Sequence, residues 1–233
     1  MNKEIKDYVS KFKNLDLKGT GWLSLRNAPT LLKKYSPGRK ILDFGCGAGR
    51  SLSFLKTYGY WVDGADVNSE MIEEAKKLSD DSNFYLISDS VIGVDDCVYD
   101  AIFSALVLFE FPNLGEMKSS LVELKRILKD DGVFVLTTGS PSLYTHQWNS
   151  IETLRYQQNK NLKSGDQARV YLKNIDLELI DYFWTEEDYL EVFSDSGLDL
   201  LEIDYPLGKK EDGIDWKDEL KVSPYVTFVL RKK

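Results

Sequence analysis

One histidine and two cysteines are all that the chain offers for soft-metal or disulfide chemistry. A zinc site built from Cys and His needs about four such ligands, and Cys46 and Cys97 form neither a metal-ligand pattern nor a disulfide pattern. No metal site is expected, and both thiols are expected to be reduced. Basic residues are also outnumbered: 30 Lys and Arg stand against 38 Asp and Glu, a formal net charge of −8. No dense Lys/Arg run stands out, so a broad electrostatic footprint on DNA or RNA is disfavoured. No apolar run is long enough to span a bilayer, and residues 1–18 are polar and amphipathic, without the apolar core of a secretory leader. A cytoplasmic protein that avoids the membrane is expected. Internal repeats are absent, and so is any linker long enough to separate a second domain.

What is present is concentrated in one stretch, Ile41-Leu42-Asp43-Phe44-Gly45-Cys46-Gly47-Ala48-Gly49-Arg50. Two apolar residues lead into an acid, three glycines alternate with small residues, and helical spacing follows to Tyr58. The stretch reads as a buried strand, a tight turn and a helix start. Glycine belongs where the backbone takes φ > 0 or a ligand must touch it closely. The helix start behind it offers unpaired N–H groups and a positive dipole end. A dinucleotide fingerprint needs glycine at its sixth position, where this chain has Arg50. Asp43 would face a pyrophosphate unfavourably and a cationic amine favourably. Residues 60–66 read as the next strand. Asp66 ends it about twenty residues past the glycines, where an open α/β sheet places an acid on ribose hydroxyls. Asp63 is the rival acid, set before the strand end.

This contiguous pattern resembles motif I of the class I S-adenosylmethionine-dependent methyltransferases, which is close to hhDhGCGxGx. The resemblance runs from about residue 38 to 138 and resumes weakly from 184 to 230. It implies an α/β fold with a Rossmann-like seven-stranded sheet. That sheet would be mainly parallel with an antiparallel last strand, helices on both faces and a lid insertion after strand five. It also implies S-adenosylmethionine as cofactor, with Asp43, Gly45, Cys46 and Gly47 at the glycine turn and Asp66 on the ribose. Val67 and Met71 would lie near the adenine, Asp89 and Ser90 on its edge, and Ser104 at the end of strand four. In such enzymes an N-terminal helical segment covers the cofactor, which makes Tyr8, Trp22 and Arg26 candidates to face the site.

The remaining chain fits a single domain over 1–233. Residues 1–36 would form a helical cover, with Ile5, Tyr8, Val9 and Phe12 at helical spacing. Residues 37–138 would hold the cofactor, 139–183 form the lid, and 184–233 supply a helix and the last two strands. The third strand is expected at 83–87, the fourth at 98–107 and the fifth at 133–138 after a turn at Asp130-Asp131-Gly132. A helix is expected over 117–128. Within the aromatic-rich insertion, 167–173 and 177–183 alternate enough to pair as a hairpin around Asn174-Ile175-Asp176. Thr185 is expected to cap a helix that Gly197 stops.

These readings lead to methyl transfer onto a small-molecule acceptor, for which an aromatic or amphipathic shape suits the insertion. The Asp/Asn-Pro-Pro-aromatic tetrad of many nucleic-acid amino-methyltransferases is absent. The His found after strand four in many small-molecule relatives is replaced by Phe109-Glu110. His146 is the only side chain in the insertion with an unperturbed pKa near neutrality. With Tyr144 and Tyr182 it is a candidate base or orienting group, and Glu110 is an alternative. Three rivals stay open: a protein or RNA methyltransferase, a module that binds S-adenosylmethionine without turnover, and a dehydrogenase, against which Asp43 and Arg50 argue.

Overall fold

Strand segments such as Ile41-Leu42, Ile102-Phe103 and Val133-Phe134-Val135-Leu136 are apolar at consecutive positions. Successive side chains on a strand point to opposite faces, so such strands need cover on both sides. The computed structural model, which describes residues 9–12 and 18–233, provides it. Residues 9–12 are helical; Ile5 and Tyr8 of the expected first helix lie outside the described residues. Two short helices, α1 (Leu23–Arg26) and α2 (Ala28–Tyr35), precede β1 (Lys40–Phe44) and α3 (Arg50–Lys56). There follow β2 (Trp61–Asp66), α4 (Ser69–Lys76), β3 (Phe84–Leu86), β4 (Tyr99–Ala105), α5 (Leu114–Ile127) and β5 (Leu128–Gly139). The insertion holds β6 (Ile151–Glu152), β7 (Gln167–Leu172) and β8 (Leu177–Tyr182). Then come α6 (Glu186–Asp195), β9 (Leu198–Asp204) and β10 (Tyr225–Lys232).

Seven strands form one sheet in the order β3-β2-β1-β4-β5-β10-β9. The first five strands pair in parallel, and β10 lies antiparallel between β5 and β9. Strand parity sorts the core. Ile41, Phe103, Val135 and Val229 face Leu31 and Leu32 of α2 and Leu52 and Leu55 of α3. Leu42, Ile102, Phe134 and Phe228 face Leu121 and Leu124 of α5 and Val192 and Phe193 of α6. The strand order reverses between β1 and β4, which opens a crevice outside their carboxyl ends, the place where open α/β sheets take ligands. This is the sheet expected from sequence, with two local differences. The Asp130-Asp131-Gly132 segment is a bulge within β5, since Tyr99 pairs with Leu128 and Ala101 with Val133. Helix α5 starts earlier than expected, at Leu114, because the Asn113 side chain accepts the Glu116 N–H at 2.9 Å and caps it.

The insertion pairs as the hairpin expected, with Gln167 opposite Tyr182 and Leu172 opposite Leu177, and β6 adds a third short strand against β7. A buried carboxylate fastens this small sheet to both flanking segments. Glu219, fully buried in the loop between β9 and β10, accepts from Thr20 Oγ1 at 2.8 Å and from the Asn149 and Lys217 amides, each at 2.7 Å. Thr20 and Ser150 also exchange two hydrogen bonds, at 2.9 and 3.0 Å. The cover, the insertion and the last loop thus converge on one side chain. Among the described residues no helix is long and apolar enough to cross a membrane, and no His, Cys, Asp and Glu group is arranged to hold a metal.

Removing a buried acceptor leaves its donors unpaired. Glu219→Ala strands three donors and is expected to cost about 3 kcal/mol, a fall in Tm of roughly 6–12 °C for a chain of this size. Thermal unfolding followed by circular dichroism measures it. The exposed pair Arg155–Glu152 serves as the control, and Arg155→Ala should leave Tm nearly unchanged.

Candidate active site

The turn after β1 is built around two glycines at positive φ, Gly45 at +73° and Gly47 at +50°. A Cβ at position 45 would sit 2.2 Å from Val107 Cγ2, so the backbone there runs against the β4 exit. At position 47 a Cβ would meet nothing within 4 Å, because the residue looks into open space. The amides of Gly45 and Cys46 both donate to Ala65 O, at 2.8 and 3.1 Å. Asp66, one residue further along β2, accepts the Gly47 N–H at 2.8 Å on one oxygen and the Asn68 N–H at 2.8 Å on the other. A carboxylate has about four acceptor positions, so Asp66 retains two after holding the loop. Burial raises its pKa, and the backbone N–H bonds oppose that. The rival Asp63 points elsewhere and accepts from the Asn83 amide and from Tyr99 Oη, both at 2.9 Å.

Asp43 lies beneath the loop, fully buried and off the cavity wall. Its Oδ2 accepts from Ser51 Oγ at 2.5 Å, while Oδ1 has no partner. Burial pushes its carboxyl up to about 7; the Ser51 hydroxyl and Leu52 N–H pull down, and the charge of Asp66 pushes up. It therefore supports the start of α3 from below and does not meet a ligand directly. Burial, aided by the charges of Asp43 and Asp66, raises the Cys46 thiol far above its usual range, which makes it a neutral filler of the turn.

A cavity of about 610 Å³ opens over this turn, a size typical of small-ligand sites. Gly45, Cys46, Gly47, Asp66, Val67 and Met71 line one side of it. Asp89 and Ser90 line it too, at φ of +50° and +61°. Two successive non-glycine residues in the left-handed region store strain of the kind found at ligand sites. Ser104 does not reach the cavity; it is buried and donates to Phe44 O at 2.9 Å, and Ala105, Leu106 and Val107 line the wall there instead. Arg26 is also off the wall, held in a bidentate pair with Asp212 at 2.6 and 3.0 Å. Trp22 packs edge-on against Phe54.

The insertion closes the far side of the cavity with Leu143, Ile151, Val170, Leu172, Leu179 and Asp181. Parity decides which residues of β8 face it: Leu179 and Asp181 point in, and Tyr182 lies on the opposite face, where Gln167 Nε2 donates to its hydroxyl at 3.3 Å. Tyr182 therefore lies off the wall. His146 is off it as well, with Nδ1 2.9 Å from Thr145 Oγ1 and the ring against Trp148. Tyr144 sits behind the wall and donates its hydroxyl to Asp181 Oδ2 at 3.3 Å. The acids that do face the cavity are Glu110, on the turn Leu108–Glu110, and Asp181. Glu110 is exposed by area and lines the cavity. The surrounding protein, with the charges of Asp181 and Asp66, pushes its carboxyl up to about 8. Burial pushes Asp181 up to about 7. Asp181 and Tyr225 of β10 line the cavity although neither is expected from the aromatic content of the insertion. The signal was the acid at an apolar-face position in Leu177-Glu178-Leu179-Ile180-Asp181.

A glycine cradle at the switch point, an acid with spare acceptor capacity on the next strand and a roomy cavity define a nucleoside-binding α/β protein. Comparison with known proteins sharpens this. Residues 42–136 match the family model described as "Methyltransferase domain". The chain is 26% identical to the uncharacterized protein MJ1252 of Methanocaldococcus jannaschii, over 98% of this chain and 90% of that one. It is 27% identical to the malonyl-[acyl-carrier protein] O-methyltransferase of Salmonella typhimurium, but over only 48% of this chain and 45% of that enzyme. A putative S-adenosylmethionine-dependent methyltransferase from Listeria monocytogenes shares the fold, with a TM-score of 0.64, 20% identity and coverage of 90% of this chain and 99% of that one. These findings support a class I S-adenosylmethionine-dependent methyltransferase, with S-adenosylmethionine as its cofactor. The open face of Gly47, the spare acceptor positions of Asp66 and the strained Asp89-Ser90 pair fit that molecule.

Two outcomes follow. Asp66→Ala removes charge-assisted bonds to loop and ligand worth roughly 1.5–3 kcal/mol. The Kd for the demethylated cofactor, measured by calorimetry, should rise about tenfold or more; an unchanged Kd would make Asp66 a plain strand-end residue. Asp43 carries a folded-state pKa above its unfolded value of 3.8. The folded state holds a proton that the unfolded state has released, so this carboxyl costs stability as pH rises from about 4 to 7. Asp43→Asn should therefore gain Tm relative to the parent protein between pH 5 and pH 8, and a Tm difference that ignores pH would refute the assignment.

Proposed function

We propose that the protein methylates a small-molecule acceptor enclosed between the carboxyl edge of the main sheet and the β6–β8 insertion. One observation carries the reading: the glycine turn and the insertion line a single cavity, with apolar walls from Leu143, Ile151, Val170, Leu172 and Leu179 on the side away from the turn. The charges of the wall support it. Asp66, Asp89, Glu110, Glu116 and Asp181 stand against Lys18 and Arg50, a balance unsuited to an RNA backbone. The Salmonella relative acts on a malonyl group carried by a protein, and a carboxylate acceptor of that kind would meet repulsion here.

In this reading Asp66 holds the ribose hydroxyls, Asp89 and Ser90 meet the adenine edge, and Val67 and Met71 flank the ring. When bound, the cofactor supplies an electrophilic methyl on a sulfonium. The protein's task is then to align the acceptor with it, to keep water out, and to take a proton where the acceptor carries one. Glu110 and Asp181 face the cavity and titrate near neutrality. They replace His146, Tyr144 and Tyr182 as candidates for that last task.

A metabolite extract incubated with methyl-labelled cofactor and the protein should yield label in the low-molecular-weight fraction. Label in protein or RNA instead would overturn the reading. Val170→Trp, which fills the insertion side, should leave affinity for the demethylated cofactor within about threefold while turnover falls about tenfold or more.

A further inference from the structure

Three polar groups line the cavity, Glu110 after β4, Asp181 on β8 and Tyr225 on β10, and none has a partner of opposite charge among the described residues. Glu110 accepts no side-chain hydrogen bond from any of them. Asp181, 3% exposed, is met only by the Tyr144 hydroxyl at 3.3 Å. Tyr225, 1% exposed, lines the cavity with a hydroxyl that makes no hydrogen bond to the described residues. Strand β8 packs against the turn that carries Glu110, and each of the three groups senses the charge of Asp181 or belongs to it. The two cations of the cavity wall, Lys18 and Arg50, come from the N-terminal cover and from the start of α3.

We propose that the acceptor is a primary or secondary amine with an apolar body, its nitrogen held as an ammonium between Glu110 and Asp181 with Tyr225 Oη as a further acceptor. The proposal rests on the small-molecule reading above and names the acceptor class within it. Two carboxyls facing one cavity without a counter-charge are costly, and such groups keep their protons in place of a partner. Glu110 and Asp181 are raised in just this way. An ammonium supplies the missing charge and donates hydrogen bonds to groups that can accept them. A carboxylate acceptor would bring a further acid and no counter-charge, and an alcohol would leave the pair uncompensated. Leu143, Ile151, Val170, Leu172 and Leu179 cover the rest of the molecule.

The same pair frees the nucleophile. One carboxylate, Glu110 or Asp181, takes an N–H proton from the ammonium and leaves the lone pair on nitrogen. That pair becomes the new N–C bond to the transferred methyl, while the C–S bonding pair stays on sulfur. The product is the methylated ammonium, a neutral thioether and a protonated carboxyl.

The test is binding to the protein loaded with the demethylated cofactor. Amines graded from n-butylamine to phenethylamine are titrated by calorimetry beside their alcohol and carboxylate counterparts. The amines should bind at least tenfold tighter than both counterparts. In the double variant Glu110→Gln, Asp181→Asn that preference should vanish, while affinity for the demethylated cofactor stays within threefold and shows that the fold persists. Alcohols or carboxylates binding as tightly as amines would overturn the proposal, as would the absence of binding by any amine. Label transferred from the cofactor to hydroxyl-bearing metabolites would sink the amine while sparing the small-molecule reading. Label found only in macromolecules would remove both.

Discussion

The carboxylate of Asp66 is the constraint on which the site depends. Its two oxygens receive the Gly47 and Asn68 amides, one from the loop after β1 and one from the start of α4. A glycine loop alone has too much conformational freedom to present a ligand surface. Pinned from the neighbouring strand, it keeps Gly47 facing the cavity and keeps α3 and α4 in register with the sheet. Asp43 adds a second support from below. Two acids close together under a nucleoside site repel each other, and the fold resolves this by keeping Asp43 protonated up to about neutrality while Asp66 receives backbone donors.

A second fixed point, Glu219, sets the other half of the cavity. The cover, the insertion and the last loop each send a donor to it, so the wall opposite the glycine turn is held in place by residues distant in sequence. The bidentate Arg26–Asp212 pair closes the same seam. Burial in this enclosure pushes the carboxyls of Glu110 and Asp181 up.

The glycine turn and its neighbours are legible in the sequence because their signals are local. Strand, glycine turn, acid at the next strand end and the Asp89-Ser90 turn are all read within short windows, and the glycines, Asp66, Asp89 and Ser90 lie on the cavity. Asp43 and Ser104 belong to the same windows but point into the core, an orientation that motif spacing does not reveal. Arg26 depended on a partner far along the chain, Asp212. In the insertion the hairpin was legible, but the choice among its side chains was not. Tyr182 and Asp181 are neighbours on opposite faces, and the strand's register, not its composition, decides which one meets a ligand. His146 stands beside Thr145 and Trp148, away from the cavity.

Strand β10 comes last among the strands in sequence yet lies inside the sheet, between β5 and β9. Until it is in place, β5 presents an open edge and β9 has nothing to pair with. It also carries Tyr225 into the cavity. During synthesis the motif loop can form long before its opposite wall exists. The glycine-turn wall of the cavity rests on short-range contacts, and the insertion wall on long-range ones. Pairing with β10 is what covers the edge of β5, and an uncovered strand edge is a template for pairing with another chain.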